Sequence, residues 1–341
     1  MEDGLLRELQ KISFASFAFH LRATTELLLP PYKGSTLRGA FGTVFKETVC
    51  VVEHRDCDRC ILKLKCAYPY IFDTPVPEDS ARMRRYERAP HPFVIDPPLE
   101  TQQLYKPNES LDFGLTLIGK AFDYLPYFIY AFERMGKERG IGKGRRFGSG
   151  RFAVERVDWV DGDGTEKPVY DGERKVLSNS FRPLTIRDLP ETRSSDEFGI
   201  DSERSRTGHN SKLITVHYLT PTRITFDHQL HTYPEFHVVI RNLLRRLSNL
   251  AYFHCGEELK LDFKGLIEAA KQVETKDGQV QWRDWERYSA RQDVKMKMGG
   301  FVGGVEYSGE ISGFIPLLKL GEKVHVGKAT GFGLGRYALE R

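Results

Sequence analysis

The chain has 341 residues, 40% of them hydrophobic and 29% charged, with 22 Phe and 15 Tyr; this length points to about two domains, and this composition excludes general disorder. Net charge is only +4, from 51 basic and 47 acidic residues, so the placement of charge rather than its total has to identify partners. No apolar run approaches the ~18 residues that span a bilayer, and the opening MEDGLLRELQK lacks the order of a signal peptide, so a cytoplasmic protein with no membrane partner is expected.

Taken in chain order, residues 12–29 (ISFASFAFHLRATTELLL) form a β-rich stretch that ends at Pro30 and Pro31 and predicts a strand. In YKGSTLRGAFGTVFKETVC, Leu37, Ala40, Phe41, Val44, Phe45 and Val49 recur near 3.6 spacing, which predicts an amphipathic helix capped by Ser35 or Thr36. A Cys-rich insertion at about 50–70 comes next. Phe93–Ile95 and Leu111–Gly119 read as strands, Ala121–Met135 as a helix despite Pro126, and Arg151–Val160 as a period-two strand after a Gly-rich turn at 140–150.

Strand, helix, strand, strand, helix, Gly-rich loop and strand make the βαββαβ pattern of a ferredoxin-like fold, complete by about Val160. Residues 161–211 are polar and predict a linker or insertion. A second half, 212–341, repeats the plan. Lys212–Phe226 reads as a strand, and Glu235–His254 as a helix with Arg241, Arg245 and Arg246 mostly outward. MKMGGFVGGVEYSGEI reads as a hairpin around glycines, and FIPLLKLGEK as a short helix before another Gly-rich loop and a last strand at Arg336–Arg341. The expected fold is α+β: tandem ferredoxin-like (RRM-like) βαββαβ domains at 1–160 and 212–341, with the Cys-rich insertion in the first.

Setting IGKGRRFGSGRF (141–152) above VGKATGFGLGRY (326–337) gives six identities in twelve positions, which marks a tandem duplication. Glycines without a Cβ can bring backbone N–H groups against phosphate, and Lys or Arg supplies countercharge. Arg139, Lys143, Arg145, Arg146 and Arg151 surround the first copy with no acid among them, and Phe147 is available for base stacking. A nucleic-acid contact is expected through Gly142, Lys143, Arg145, Arg146, Gly148, Gly150 and Arg151, and through Gly327, Lys328, Gly333, Gly335 and Arg336. The plain alternative is a turn that closes each sheet. GxxxxGK[ST] is absent, so a mononucleotide P-loop fits poorly.

With these loops the sequence resembles the CRISPR-associated endoribonucleases that process precursor crRNA, members of the RAMP superfamily. Their C-terminal hallmark is GhGxxxxxGhG, with h apolar. HVGKATGFGLG at 325–335 matches it except for His325 in place of the first Gly, and GIGKGRRFGSG at 140–150 except for Ser149 at an apolar position. PPYKGSTLRGAFG, CAYPYIFDT and APHPFVIDPP resemble a variant of this family with a four-Cys insertion.

The resemblance implies metal-independent cleavage: the 2′-hydroxyl attacks the adjacent phosphate, leaving a 2′,3′-cyclic phosphate. A base, an acid and a cation are then needed. The family's catalytic His near the end of the first helix, its Tyr near the start and its Lys in the same region correspond by position to His54, Tyr32 and Lys46, with His91 as second candidate. Lys33 and Arg38 flank the helix start, where phosphate is favoured. His20 reads as a structural side chain, His325 as a loop histidine within reach of phosphate, and His228, His231 and His237 as surface polar groups. Expected partners are CRISPR repeat RNA or crRNA and CRISPR effector subunits. The alternative function is a non-catalytic RAMP-type subunit that binds crRNA within an effector complex.

Cys50, Cys57, Cys60 and Cys66 follow a C-x6-C-x2-C-x5-C spacing, while Cys255 stands alone. In a reducing compartment four such thiols suit structural zinc, which would brace a loop without catalysing. An iron–sulfur cluster and unliganded cysteines are the alternatives, as is His54 in the place of Cys50. No catalytic metal is expected.

Overall fold

The computed structural model of the chain describes residues 2–53, 56–190, 213–276, 278–284, 286–289 and 294–340. They divide into two compact units: residues 12–184 with 249–257, and residues 1–11 with 185–248 and 258–341. The N-terminal unit contains β1 (Phe14–Ala23), α2 (Gly34–Val49), β2 (Phe93–Asp96), β3 (Ser110–Ile118), α3 (Leu125–Arg134), β4 (Phe152–Val160), β5 (Glu166–Asp171) and β6 (Val176–Leu177). The C-terminal unit opens with α1 (Glu2–Leu9). It continues with β7 (Leu213–Thr222), α4 (Phe236–Leu250), α5 (Phe263–Ala270), β8 (Glu274–Thr275), β9 (Gln279–Arg283), β10 (Gly300–Ser308), α6 (Ile315–Val324) and β11 (Tyr337–Glu340).

The main sheet of each unit is antiparallel, ordered β2-β3-β1-β4-β5-β6 in the first and β8-β10-β7-β11 in the second, with β9 also on β10; short two-stranded ribbons accompany them. If the four strands of each repeat are numbered in sequence, both sheets read second, third, first, fourth. That is the ferredoxin-like arrangement, present twice.

Burial follows the periodicities. On α2 the residues Leu37, Phe41, Val44 and Phe45 are buried, and Phe41 stacks on Phe128 at 4.6 Å and on Phe132 at 5.1 Å from α3. Phe19 of β1 meets Phe113 of β3 at 4.9 Å, closing an aromatic core under the sheet. The second core is built of Val239, Leu243 and Leu247 from α4 with Tyr218, Phe301 and Tyr337 from the strands.

Several expectations are corrected. The polar stretch 161–211 is not all linker: 161–184 belongs to the N-terminal unit, where β5 and β6 extend the sheet at its edge. Val169 and Tyr170 alone carry that strand's burial, which is why its composition resembles a loop. Residues 191–211 lie outside the described residues. Residues 1–11 belong to the C-terminal unit, where α1 packs on α6 and buries Leu5 and Leu9. The expected glycine hairpin is a single strand, β10, which pairs with β7 and β9 and bulges between Phe301 and Gly303. Lys33, not Ser35 or Thr36, occupies the N-cap of α2, with no side-chain cap. Arg246 faces inward at 7% exposure and donates to Val324 O at 2.8 Å; burial pushes its pKa down to about 9.

Candidate nucleic-acid interface

The two glycine loops are the same backbone object. Positive φ occurs at Gly140, Gly142, Gly144, Gly148 and Gly150 in the first, and at the equivalent His325, Gly327, Ala329, Gly333 and Gly335 in the second. Between them each forms a 3-10 turn, Arg145–Phe147 and Thr330–Phe332.

Hydrogen bonds repeat as well. Ile141 N donates to Gly150 O at 2.9 Å and Val326 N to Gly335 O at 3.0 Å. Lys143 N reaches Leu28 O at 2.9 Å and Lys328 N reaches Arg223 O at 2.8 Å. Thr25 and Thr220 each accept, through the side-chain hydroxyl, from the backbone of Arg151 and Arg336 at 2.9 Å. A Cβ on Gly142 would lie 2.3 Å from Leu28 O, and one on Gly327 would lie 2.4 Å from Arg223 O. These glycines let the loop lie against the strand end beside it.

The expectation that backbone N–H groups face phosphate is corrected for residues 141, 143, 147, 148 and 150 and for their counterparts 326, 328, 332, 333 and 335, whose N–H groups are all bonded within the fold. What the loops can offer a polyanion is side chains, and here they differ. At the first tip Lys143 and Arg145 are exposed and Phe147 is 93% exposed; the side chain of Arg146 lies outside the described residues. Arg139 pairs with Glu47 at 2.6 Å and Arg151 donates to Lys137 O at 2.7 Å, so those two cations are committed to the fold. The second tip is packed down, with Thr330 and Phe332 buried, Lys328 exposed and Arg336 half-buried. His325, expected within reach of phosphate, is buried at φ 61° with Nδ1 3.1 Å from Leu334 O.

Around α2 the expected site residues separate. Lys33, expected to meet RNA, is fully buried, its Nζ 3.0 Å from Glu100 Oε2 and 2.9 Å from Glu100 O; it is a core cation. Arg38 lies over Phe72 and Phe93 at 5.3 and 6.0 Å, with Nη2 3.4 Å from His91 Nε2. His91 Nε2 is 2.6 Å from Phe72 O, a bond that puts the proton on Nε2 and makes Nδ1 the atom able to accept one. Tyr32 is half-buried before the helix. Lys46 belongs elsewhere: its Nζ lies 5.1 Å over Tyr68, and it lines a cavity of about 510 Å³ together with Cys50, Cys57, Cys60 and Cys66. His54 lies outside the described residues.

Among the described residues, His20, Asp158 and Glu166 are the one group whose ligand atoms come within 4.8 Å of one another. His20 Nε2 is 3.0 Å from Asp158 Oδ2, and Arg156 Nε is 2.7 Å from the same oxygen, so a guanidinium already supplies the positive charge there. A pair missed in the sequence is His217 and Glu340, Nε2 to Oε2 at 2.6 Å across β7 and β11. The residues are 123 apart, and period-two alternation could mark only His217 as facing away from the core.

Two ferredoxin-like units, each closed by the same glycine loop with an exposed lysine, define a tandem ferredoxin-like protein. Residues 10–181 match the family model AF_1859_N, N-terminal domain, and residues 216–337 match the CRISPR-associated endoribonuclease Cas6 model. The chain thus joins an AF_1859_N N-terminal domain to a C-terminal domain of the CRISPR-associated Cas6 type.

An uncharacterized protein of Archaeoglobus fulgidus is 26% identical over 314 residues, 91% of this chain and 92% of that protein. Among solved structures, a Cas6 product complex aligns with a TM-score of 0.52 at 14% identity, over 96% of this chain and 99% of that one. Thermus thermophilus Cas6 aligns with a TM-score of 0.51 at 12% identity, over the same shares. A partial Cas6-RT-Cas1–Cas2 complex gives 0.55 at 12% identity, and the chain spans 46% of that relative's length. At these identities the likeness is one of fold.

Proposed function

We propose that the protein is an endoribonuclease that cleaves CRISPR precursor RNA within its repeats, without a metal, by attack of the 2′-hydroxyl on the adjacent phosphate. The products are a 2′,3′-cyclic phosphate and a 5′-hydroxyl, and the RNA retained is mature crRNA. The observation that carries the reading is the first loop. A duplicated backbone turn holds Lys143, Arg145 and an almost fully exposed Phe147 together, so phosphate countercharge and a stacking surface stand side by side.

For the chemistry, His91 and Arg38 are the described pair of greatest interest. His91 Nδ1 would take the 2′ proton, and the neighbouring guanidinium would offset the charge gathering on the phosphorane. His54 and Tyr32 remain candidates for the acid.

The test is cleavage of the repeat RNA of the source's own CRISPR locus, in excess EDTA, with product ends identified. A cyclic phosphate end is expected, and His91→Ala is expected to slow single-turnover cleavage by about 10²-fold or more with RNA affinity kept. Lys143→Ala with Arg145→Ala should lower affinity across RNA sequences and reduce the slope of log affinity against log salt by about 1.4, at ~0.7 per phosphate contact on a single strand. Tight binding without cleavage would replace this reading with that of a crRNA-binding subunit. Neither binding nor cleavage would overturn both.

A further inference from the structure

Apart from the RNA reading, and independent of it, the four cysteines of the insertion line one cavity. Cys50 is the C-cap of α2, with its N–H on Lys46 O at 2.9 Å. Cys57 and Cys60 form a one-turn knuckle, Cys60 N to Cys57 O at 3.4 Å, and Cys66 N closes on Leu62 O at 2.8 Å. None of the four is in a disulfide, all are half-buried, and all line one cavity with Lys46 and Tyr68.

We propose that these four thiolates bind one structural Zn²⁺, and that Lys46 is the cation that offsets the charge of the centre. Thiolate is the ligand zinc favours in closed sites, and Cys-x-x-Cys is the spacing that lets one turn supply two ligands. The run C-x6-C-x2-C-x5-C matches neither common ferredoxin spacing. On binding, each thiol releases its proton to solvent, no electron is transferred, and Zn²⁺ with four thiolates carries a net charge of −2. Lys46 interacts with the Cys57 thiol while its ammonium lies 5.1 Å over the Tyr68 ring, so a cation stands beside that sulfur.

No three of the sulfurs lie within 4.8 Å of one another. Bonds of about 2.3 Å therefore require the four sulfurs to draw together. That is the closure by which a metal braces a stretch with little core of its own, where Val51, Ile61 and Leu64 are 82%, 96% and 73% exposed.

The test is elemental analysis of the full chain purified without chelator, with cobalt-grown protein as a spectroscopic probe. One zinc per chain and the visible bands of tetrahedral thiolate cobalt are expected. Cys57→Ser with Cys60→Ser should lower bound zinc at least tenfold, while Cys255→Ser keeps it. Should the double variant fail to fold, titrating wild-type thiols with an organomercurial must release the zinc in step. Lys46→Met, which keeps an unbranched side chain but removes the charge, should weaken zinc about tenfold or more against a competing chelator. Iron in place of zinc, zinc below one-tenth per chain, or zinc untouched by thiol modification would each overturn the site. Unchanged zinc affinity in Lys46→Met would remove Lys46 from it.

Discussion

At Gly335 and Gly148 the same residue type answers two different demands. Gly335 sits at φ 75°, and a Cβ there would come 1.8 Å from Val326 O. Gly148 sits at φ 89°, with nothing within 4 Å of a Cβ. Conformational strain is common to both, and the clash belongs to Gly335 alone. Gly148→Ala should therefore cost about 1 kcal/mol, and Gly335→Ala about 3 kcal/mol or more, as read by urea denaturation. Equal losses would mean that the loop gives way around Val326 without cost. The three glycines among the six identities are thus explained by backbone conformation and fit. The retained Lys is exposed at both tips, whereas the retained Phe is exposed in the first and packed in the second.

At the scale of an element, the start of α2 turns on Lys33, whose charge is wholly buried while its partner Glu100 is 45% exposed. Tyr105 OH also donates to Glu100, so one carboxylate ties a tyrosine and a lysine to the strand end. Glu100→Gln leaves the ammonium in the core without a counter-ion and should destabilise the N-terminal unit by about 3 kcal/mol, the lower end for such a loss. Lys33→Met leaves a carboxylate that water can reach and should cost less than half as much. The reverse order in thermal melts would mean that the carbonyls of Pro31 and Glu100 suffice for Lys33.

Sequence patterns carried α2, α4 and the main strands of both repeats because one face of each is apolar at the helix or strand period. They did not carry β5, an edge strand with two buried side chains, or Lys33, whose type is that of a surface residue. The loop duplication was legible, since glycines at positive φ tolerate few replacements. The role of its N–H groups was not: those of Lys143, Gly150, Lys328 and Gly335 find acceptors more than 100 positions away in sequence, and the others bond within the loop itself.

At the scale of the whole molecule, seven tyrosines sit where burial disfavours ionisation. Burial is the first cause that raises the pKa of Tyr70, Tyr105, Tyr124, Tyr170, Tyr218, Tyr307 and Tyr337, so both units share the property. The C-terminal unit is the extreme case. Tyr218 donates to Tyr307 at 3.0 Å, Tyr307 to Pro234 O at 2.6 Å and Tyr337 to Leu318 O at 2.6 Å, all in the core.

An unfolded tyrosine loses its proton near pH 10, and these three keep theirs well beyond it. Below about pH 10 both states are protonated and the stabilisation is fully present. Above that the folded state holds more protons than the unfolded one, so stability falls as pH rises, by about 1.4 kcal/mol per pH unit for each tyrosine. Near pH 11 the three together remove about 4 kcal/mol, a large share of a domain's 5–15 kcal/mol. Melting temperature should be flat with respect to these groups from pH 8 to about 10 and then drop steeply. Tyrosinate absorbance from the buried set should appear with unfolding and not before it. Tyr218→Phe leaves Tyr307 its bond to Pro234 and should flatten the alkaline slope by about a third of that set's contribution. An unchanged slope, or full tyrosinate absorbance in protein that is still folded, would show that hydroxide reaches this core without opening it.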